Sequence, residues 1–323
     1  MIEGFGLALV DILLNVPGKI ILNQKHVVSA EMLQIGGVIP TALIFLSRLG
    51  LNCSFHSSAT QDSLGKLIDN FLVSEKVNFE PIWKTGATPT AAVVVEQSTG
   101  KRTGFYHLGA FADLTIKDVE TIKFAENSKF LLIDAHNFDC SQALVKKARS
   151  QGLIVLLDLG SYKKSAEKLI PLVDVVFVPE VFRQTIAPGQ DPAQVAQKLQ
   201  RQGPKICVVT MGEQGSYIAS EGQVFHQPAF KVKAIDTNDA GDVFMGGFAY
   251  GLAKNWPLPK TAQFAAAAAA ITCTKFGKIQ AMPKSEREIF SFMKSSDTYK
   301  EGKSLISLVN PLITASRPRV ASP

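Results

Sequence analysis

The chain has 323 residues, 46% of them hydrophobic and 19% charged, with a formal net charge of +6. That length buries a large core, as one big α/β domain or a domain with a small appendage, and the composition is ordinary for a soluble globular protein. The charge is mild and scattered, with Lys146–Lys147 and Lys163–Lys164 the closest basic pairs and no basic stripe interleaved with aromatics, so nucleic acid is excluded as an expected partner.

The opening MIEGFGLALVDILLNVPG has no basic leader, carries Glu3, and is split by Asp11. It reads as a first buried strand rather than a signal peptide. No apolar run is long enough to span a membrane, which predicts a cytoplasmic protein with no membrane partner. Residues Gly4 to Leu14 predict one buried parallel strand that carries Asp11 near its carboxyl end, where ligands of open α/β sheets gather. An Asp in an apolar strand is either satisfied by backbone amides or functional.

Lys19 to Gln34 alternates patchily and predicts short exposed strands. Next, Gly36 and Gly37 open a helix that carries Thr41, Leu43, Ile44, Leu46 and Leu49 and ends at Gly50; a strand and a second helix follow. Paired glycines at a helix start allow close approach of a ligand or of another strand. Thr88 to Tyr106 predicts a hairpin turning at Ser98-Thr99-Gly100. With residues about 18–34 it makes a small sheet, separate from the main one, that suggests a lid.

From Lys129 the apolar runs FLLIDA, LIVLLDL, VDVVFV and ICVVTM alternate with helical stretches such as 142–151 and 192–202, the signature of βα units and a parallel sheet. Thr210, Gly212 and Gly215 follow the last run as T-x-G-x-x-G, which reads either as a nucleotide contact or as a hairpin turn. Phe230 to Ile235 reads as a strand end leading into DTNDAGDVFMGG. There a tight turn at Asp236–Asp239 feeds a helix carrying Val243, Phe244, Phe248 and Leu252. Unpaired amides and the positive end of the helix dipole converge at Asp239, Ala240 and Gly241, a cradle for phosphate. Asp242 in the first helical turn is either an ordinary cap or the acceptor of a proton from an attacking hydroxyl. The run TAQFAAAAAAITCT predicts a thin helix suited to close packing or to a flat ligand, ended by Gly277. Pro283 starts a final helix near 285–294. Cys53, Cys140, Cys207 and Cys273 lie far apart with no C-x-x-C, which predicts free thiols and no zinc site.

Taken together the motifs resemble the ribokinase-like, or PfkB, carbohydrate kinases over about residues 4–295, nearest the sulfofructose- and ketohexose-type kinases. DTNDAGDVF matches the family's D-T-x-G-A-G-D-x-F in all but one fixed place, and GGVIPTALIFLSRLG matches the Gly-Gly helix that ends in R-L-G. The resemblance implies a three-layer α/β/α fold with a mainly parallel central sheet and a β-sheet lid from about 18–34 and 86–108. It leaves 296–323 as a tail expected to be partly disordered. It implies ATP-dependent phosphorylation of a sugar hydroxyl, with Asp242 as base and the backbone of 239–241 as anion hole. It also implies sugar contacts at Asp11, Gly36, Gly37 and Thr41, nucleotide contacts at Thr210, Gly212 and Gly215, and Mg2+ at Glu180. A homodimer through the lid and a monovalent cation near 270–277 occur in relatives.

Three positions depart from the family pattern. Asp239 stands where the signature has Gly, and Thr41 where it has Asn. Arg183 stands in the metal-associated N-x-x-E motif, beside Glu180. A carboxylate about 4 Å from phosphate costs roughly 1 kcal/mol in water and several times that when partly buried. Asp239 therefore points outward as a cap, holds a cation, or weakens phosphate binding. Two alternatives stand beside the sugar kinase: a kinase-fold regulatory protein without turnover, and a nucleoside kinase using Phe105 or Tyr106 of the lid to stack on a base.

Overall fold

Alternate residues of the βα strands enter two different cores. Phe130 and Leu132 pack with one set of helices, and Leu131 and Ile133 with the other. That is what a strand covered on both faces requires, and it explains the unbroken apolar runs. The computed structural model describes residues 1–97, 102–160, 164–296 and 311–312.

In chain order the strands are β1 Ile2–Phe5, β2 Leu9–Val16, β3 Ala30–Gly36, β4 Cys53–Ala59, β5 Asn78–Trp83, β6 Thr90–Glu96, β7 Arg102–His107, β8 Phe130–Asp134, β9 Ile154–Asp158, β10 Val175–Pro179, β11 Ile206–Thr210, β12 Ser216–Ser220 and β13 Gln223–Gln227. The α-helices are α1 Val38–Arg48, α2 Ser63–Ser74, α3 Ile116–Glu120, α4 Phe138–Ser150, α5 Glu180–Ile186, α6 Pro192–Gln200, α7 Ala240–Ala253, α8 Leu258–Thr272, α9 Lys278–Ala281 and α10 Glu286–Ser295. The main sheet runs β13-β12-β11-β10-β9-β8-β1-β4-β5, parallel from β5 to β11 and antiparallel at β12 and β13. A second sheet, β3-β2-β6-β7, forms the lid. The three-layer α/β/α architecture with a separate small sheet is the one expected.

Four sequence expectations are corrected. The strand expected over Gly4 to Leu14 is two strands in two sheets. Asp134 at the end of β8 causes the break: its Oδ2 accepts the Leu7 amide at 2.9 Å, and a side chain on Gly6 would collide with that carboxylate. The chain therefore leaves the main sheet after Phe5 and enters the lid at Leu9. Of the strands expected from 19 to 34, only Ala30 onward pairs, against β2. Phe230 to Ile235 forms no strand; Ile235 is instead held by its amide donating to the Cys273 carbonyl at 2.8 Å. Gly277 does not end the alanine helix, which stops at Thr272; it caps the short α9.

The alanine run packs closely. A Cβ on Gly247 of α7 would lie 2.9 Å from the Ala265 Cα, and one on Gly251 2.6 Å from the Thr261 hydroxyl. Small residues on both helices let α7 and α8 approach nearly backbone to backbone. The hairpin β6–β7 is antiparallel as expected, while its turn at Ser98-Thr99-Gly100 lies outside the described residues. So does nearly all of the tail, of which Leu312 packs against the helical core. All four cysteines are free. Among the described residues no helix is long and apolar enough to cross a membrane.

Candidate active site

The main sheet's carboxyl edge, the lid and the start of α7 converge on one group of charged side chains. Asp239 caps α7 in the left-handed conformation, at φ 60°. A side chain there normally costs about 1–2 kcal/mol, least for Asp and Asn. The turn is fixed by Asp236, whose two oxygens accept the Asn238 amide at 2.9 Å and the Gly277 amide at 3.1 Å. The amides of Ala240 and Gly241 then stand at the helix start without intrahelical partners, whereas the Asp242 amide donates to the Asp239 carbonyl at 3.1 Å. Gly241 is exposed, and a Cβ built on it meets nothing within 4 Å. The helix start therefore opens onto free space.

Asp242 stands in that first turn, partly accessible, with its carboxyl near that of Asp239. Its pKa is raised well above the usual carboxylate value, first by burial and then by Asp239, with Asp158 adding to it and Lys278 opposing. Asp11 lies across the cleft on β2, 5% exposed. A Cβ on Gly36 would come within 2.5 Å of its Oδ2, so the first glycine makes room for this carboxylate. Gly37 at φ 107° caps α1, and a Cβ there would collide with the Leu7 carbonyl. Thr41 is fully buried and its hydroxyl donates to the Gly37 carbonyl at 2.7 Å.

Lid registry sets what faces the cleft. Asp11 pairs with Gln34 on one side and Ala91 on the other, and Ala91 pairs with Tyr106. Gln34, Asp11, Ala91 and Tyr106 thus share one face, while Leu33, Ile12, Ala92 and Phe105 share the other.

Thr210, Gly212 and Gly215 form a tight connection from β11 to β12, with Gly212 at φ 55° and Gly215 at φ 90°. The motif is a hairpin turn, placed at the same sheet edge as Glu180: Thr210 pairs with Pro179, the residue before it. Glu180 is exposed at the first position of α5. Arg183 is buried, donates to the Gln190 carbonyl at 2.7 Å, and lies 4.0 Å from Glu180. Among the described residues no group of three or more His, Cys, Asp and Glu converges to hold a metal ion.

Sequence reasoning missed Lys278. It is fully buried, with its ammonium 3.0 Å from Asp239 Oδ1 and 3.2 Å from Asp11 Oδ2. Burial alone would lower its pKa, but Asp239, Asp11 and Asp242 outweigh that and raise it. Lys275 and Lys284 stand close to it in sequence, so nothing local marked Lys278 out. Arg102 was also missed; it reaches from β7 to Asn238, Nη1 to Oδ1 at 2.6 Å.

Residues 1–285 match the model of the pfkB family carbohydrate kinases. The chain belongs to that family. Fructokinase-1 of Oryza sativa subsp. japonica is 27% identical over 326 residues, covering 92% of this chain and 98% of its own. Ribokinase from Thermotoga maritima superposes with a TM-score of 0.77 at 24% identity, covering 91% of this chain and 99% of its own. A ribokinase-II-type protein of E. coli in complex with ATP and Mg2+ superposes at 0.78 and 20% identity, covering 91% and 99%. These superpositions fix the fold, and the stretch Asp236–Asp242 lies within the residues that match the family.

Proposed function

We propose that this family member is an ATP-dependent sugar kinase in which Asp242 takes the proton from the acceptor hydroxyl. The carrying observation is a carboxylate at the open N-terminus of α7, faced across the cleft by Asp11 from the lid. The first-turn amides of α7 receive phosphoryl charge, which is the larger part of catalysis in a loose transfer. Asp242 is needed late, when the hydroxyl becomes acidic, and its raised pKa makes it a stronger base than a free Asp. The lid keeps water from competing as acceptor. Thr210, Gly212 and Gly215 contact the nucleotide at the sheet edge. The exposed Glu180 would hold Mg2+ through water, and that cation supplies charge neutralisation when bound.

Two contacts weaken the case for a regulatory protein without turnover. Asp239 is neutralised by Lys278, and Arg183 is a buried structural group that pins the end of α5. The nucleoside-kinase reading keeps one support, Tyr106, which shares the cleft face with Asp11 while Phe105 does not. The apolar row Leu33–Ile12–Ala92–Phe105 on the outer lid face, with Leu33 and Phe105 more than half exposed, supports the homodimer through the lid. A monovalent cation would compete at Cys273 with the Ile235 amide for the same carbonyl. The deciding experiment is ATP consumption across ketohexoses, aldopentoses, sugar acids and nucleosides, with and without Mg2+, in potassium and in sodium salts. Turnover of a sugar that depends on Mg2+ is expected. ATP consumption with no acceptor dependence anywhere in the panel would sink the reading.

A further inference from the structure

Within the stretch DTNDAGDVF the carboxylate at 239 is the one break from D-T-x-G-A-G-D-x-F, and the buried ammonium of Lys278 is salt-bridged to it. The two belong to different segments, the turn before α7 and the start of α9, and Asp236 clamps those segments together by accepting amides from both. Lys278 is 2% exposed and makes its two ion pairs at 3.0 and 3.2 Å. An isolated ammonium in such a place is expensive to bury, so its carboxylate partners are what keep it there. In turn, an unpaired carboxylate beside an anion cradle repels phosphate, and the cradle opens directly beside Asp239.

We propose that Asp239 and Lys278 form a matched charge pair, with Lys278 a positioning residue that cancels the carboxylate standing at the signature's glycine, so that nucleotide phosphates can occupy the start of α7. The inference rests on the sugar-kinase reading for its ligand. The same ammonium also spans the cleft. It holds one oxygen of Asp11 on the lid and one of Asp239 on the cradle, so the acceptor side and the phosphate side share a counterion. The groups facing Asp242 are Asp239 on its own turn, Lys278 from α9 and Asp158 from β9. Lys278 is the cation among these three, so its removal takes away the charge that opposes Asp239 at Asp242.

The test is a double-mutant cycle on Mg·ATP binding, read by calorimetry on the full chain. Lys278→Met is expected to weaken binding at least tenfold, or 1.4 kcal/mol. Asp239→Gly is expected to tighten it. The double variant, which removes both charges, is expected to return to within threefold of the natural protein. A double variant as weak as Lys278→Met, or a Lys278→Met protein that binds normally, overturns the pairing. Should Lys278→Met not fold, Asp239→Asn decides, because Asn keeps the left-handed turn and removes the charge while retaining one of the two acceptor oxygens. At least threefold tighter ATP binding is expected, and unchanged or weaker binding refutes the proposal. The acid limb of kcat against pH gives an independent readout. It should move to higher pH in Lys278→Met and return in the double variant, and a limb that stays in place also counts against the pair. Natural protein that binds ATP yet transfers phosphate to no acceptor would remove the kinase reading while leaving the binding cycle decisive.

Discussion

Arg102 and Asn238 are 136 positions apart in sequence, yet Arg102 Nη1 donates to Asn238 Oδ1 at 2.6 Å. The bond ties β7 of the lid to the turn that launches α7. Asn238 in turn donates through Nδ2 to Asp239 Oδ2 at 2.6 Å, so a lid residue is connected to the head of the cradle. Exposed charge-assisted contacts of this kind contribute little stability, about 0–1 kcal/mol.

The consequence is a separation of effects in Arg102→Ala. Thermal stability should change by less than about 1 kcal/mol. The acceptor KM should rise several-fold while the ATP KM stays near its original value, because the lid side loses its anchor and the cradle does not. Steady-state kinetics against both substrates checks this. A melting temperature that collapses with unchanged KM values would show the bond to be purely structural.

Asp242→Asn keeps size and removes the proton acceptor. Turnover should fall by about 10²- to 10⁴-fold, the usual range for a lost general base. Acceptor binding should persist, since Asp11 and its lid neighbours are untouched. A near-normal kcat would reassign the base.

Asp158 gives a pH prediction with a definite sign. Burial pushes its pKa up to about 7, with the Gly160 amide opposing and Asp134 on the neighbouring strand adding to the rise. The folded state therefore holds a proton that the unfolded chain releases near pH 3.8. Its stabilisation is complete below that value and is lost as pH rises to about 7 and beyond. Asp158→Asn keeps the oxygen that accepts from Gly160 at 2.6 Å and cannot ionise. The variant should gain stability over the natural protein by as much as a few kcal/mol at pH 8, and by little at pH 4. Urea unfolding at both pH values measures the difference, and equal gains at both would contradict the assignment.

Gly247→Ala tests the helix pair. Alanine in place of glycine favours a helix by about 1 kcal/mol. Here its methyl would sit 2.9 Å from the Ala265 Cα, a backbone atom that no rotamer change can move. Overpacking of that kind costs about 1–3 kcal/mol, so net destabilisation is expected. A neutral or stabilised variant in denaturant melts would show that α7 and α8 have room to separate.

Local sequence carried much of this protein. The apolar runs after Lys129 became β8 to β11 because parallel strands buried on both faces must be apolar throughout. The Gly-Gly pair announced the start of α1 because Gly37 needs a positive φ beneath the Leu7 carbonyl, and the Asp-Ala-Gly-Asp turn announced the start of α7 because its spacing is local. The division of Gly4–Leu14 between two sheets was not legible, since a carboxylate 127 residues away, Asp134, breaks that strand. The fate of Asp239 was equally hidden. Left to the sequence, its carboxylate faced outward, bound a cation or obstructed phosphate; the tertiary structure chose by bringing Lys278 to 3.0 Å from it across 39 positions of chain. Periodicity and turn chemistry are written within a few neighbouring residues, whereas the charge balance of a buried site depends on which distant side chains the fold makes neighbours.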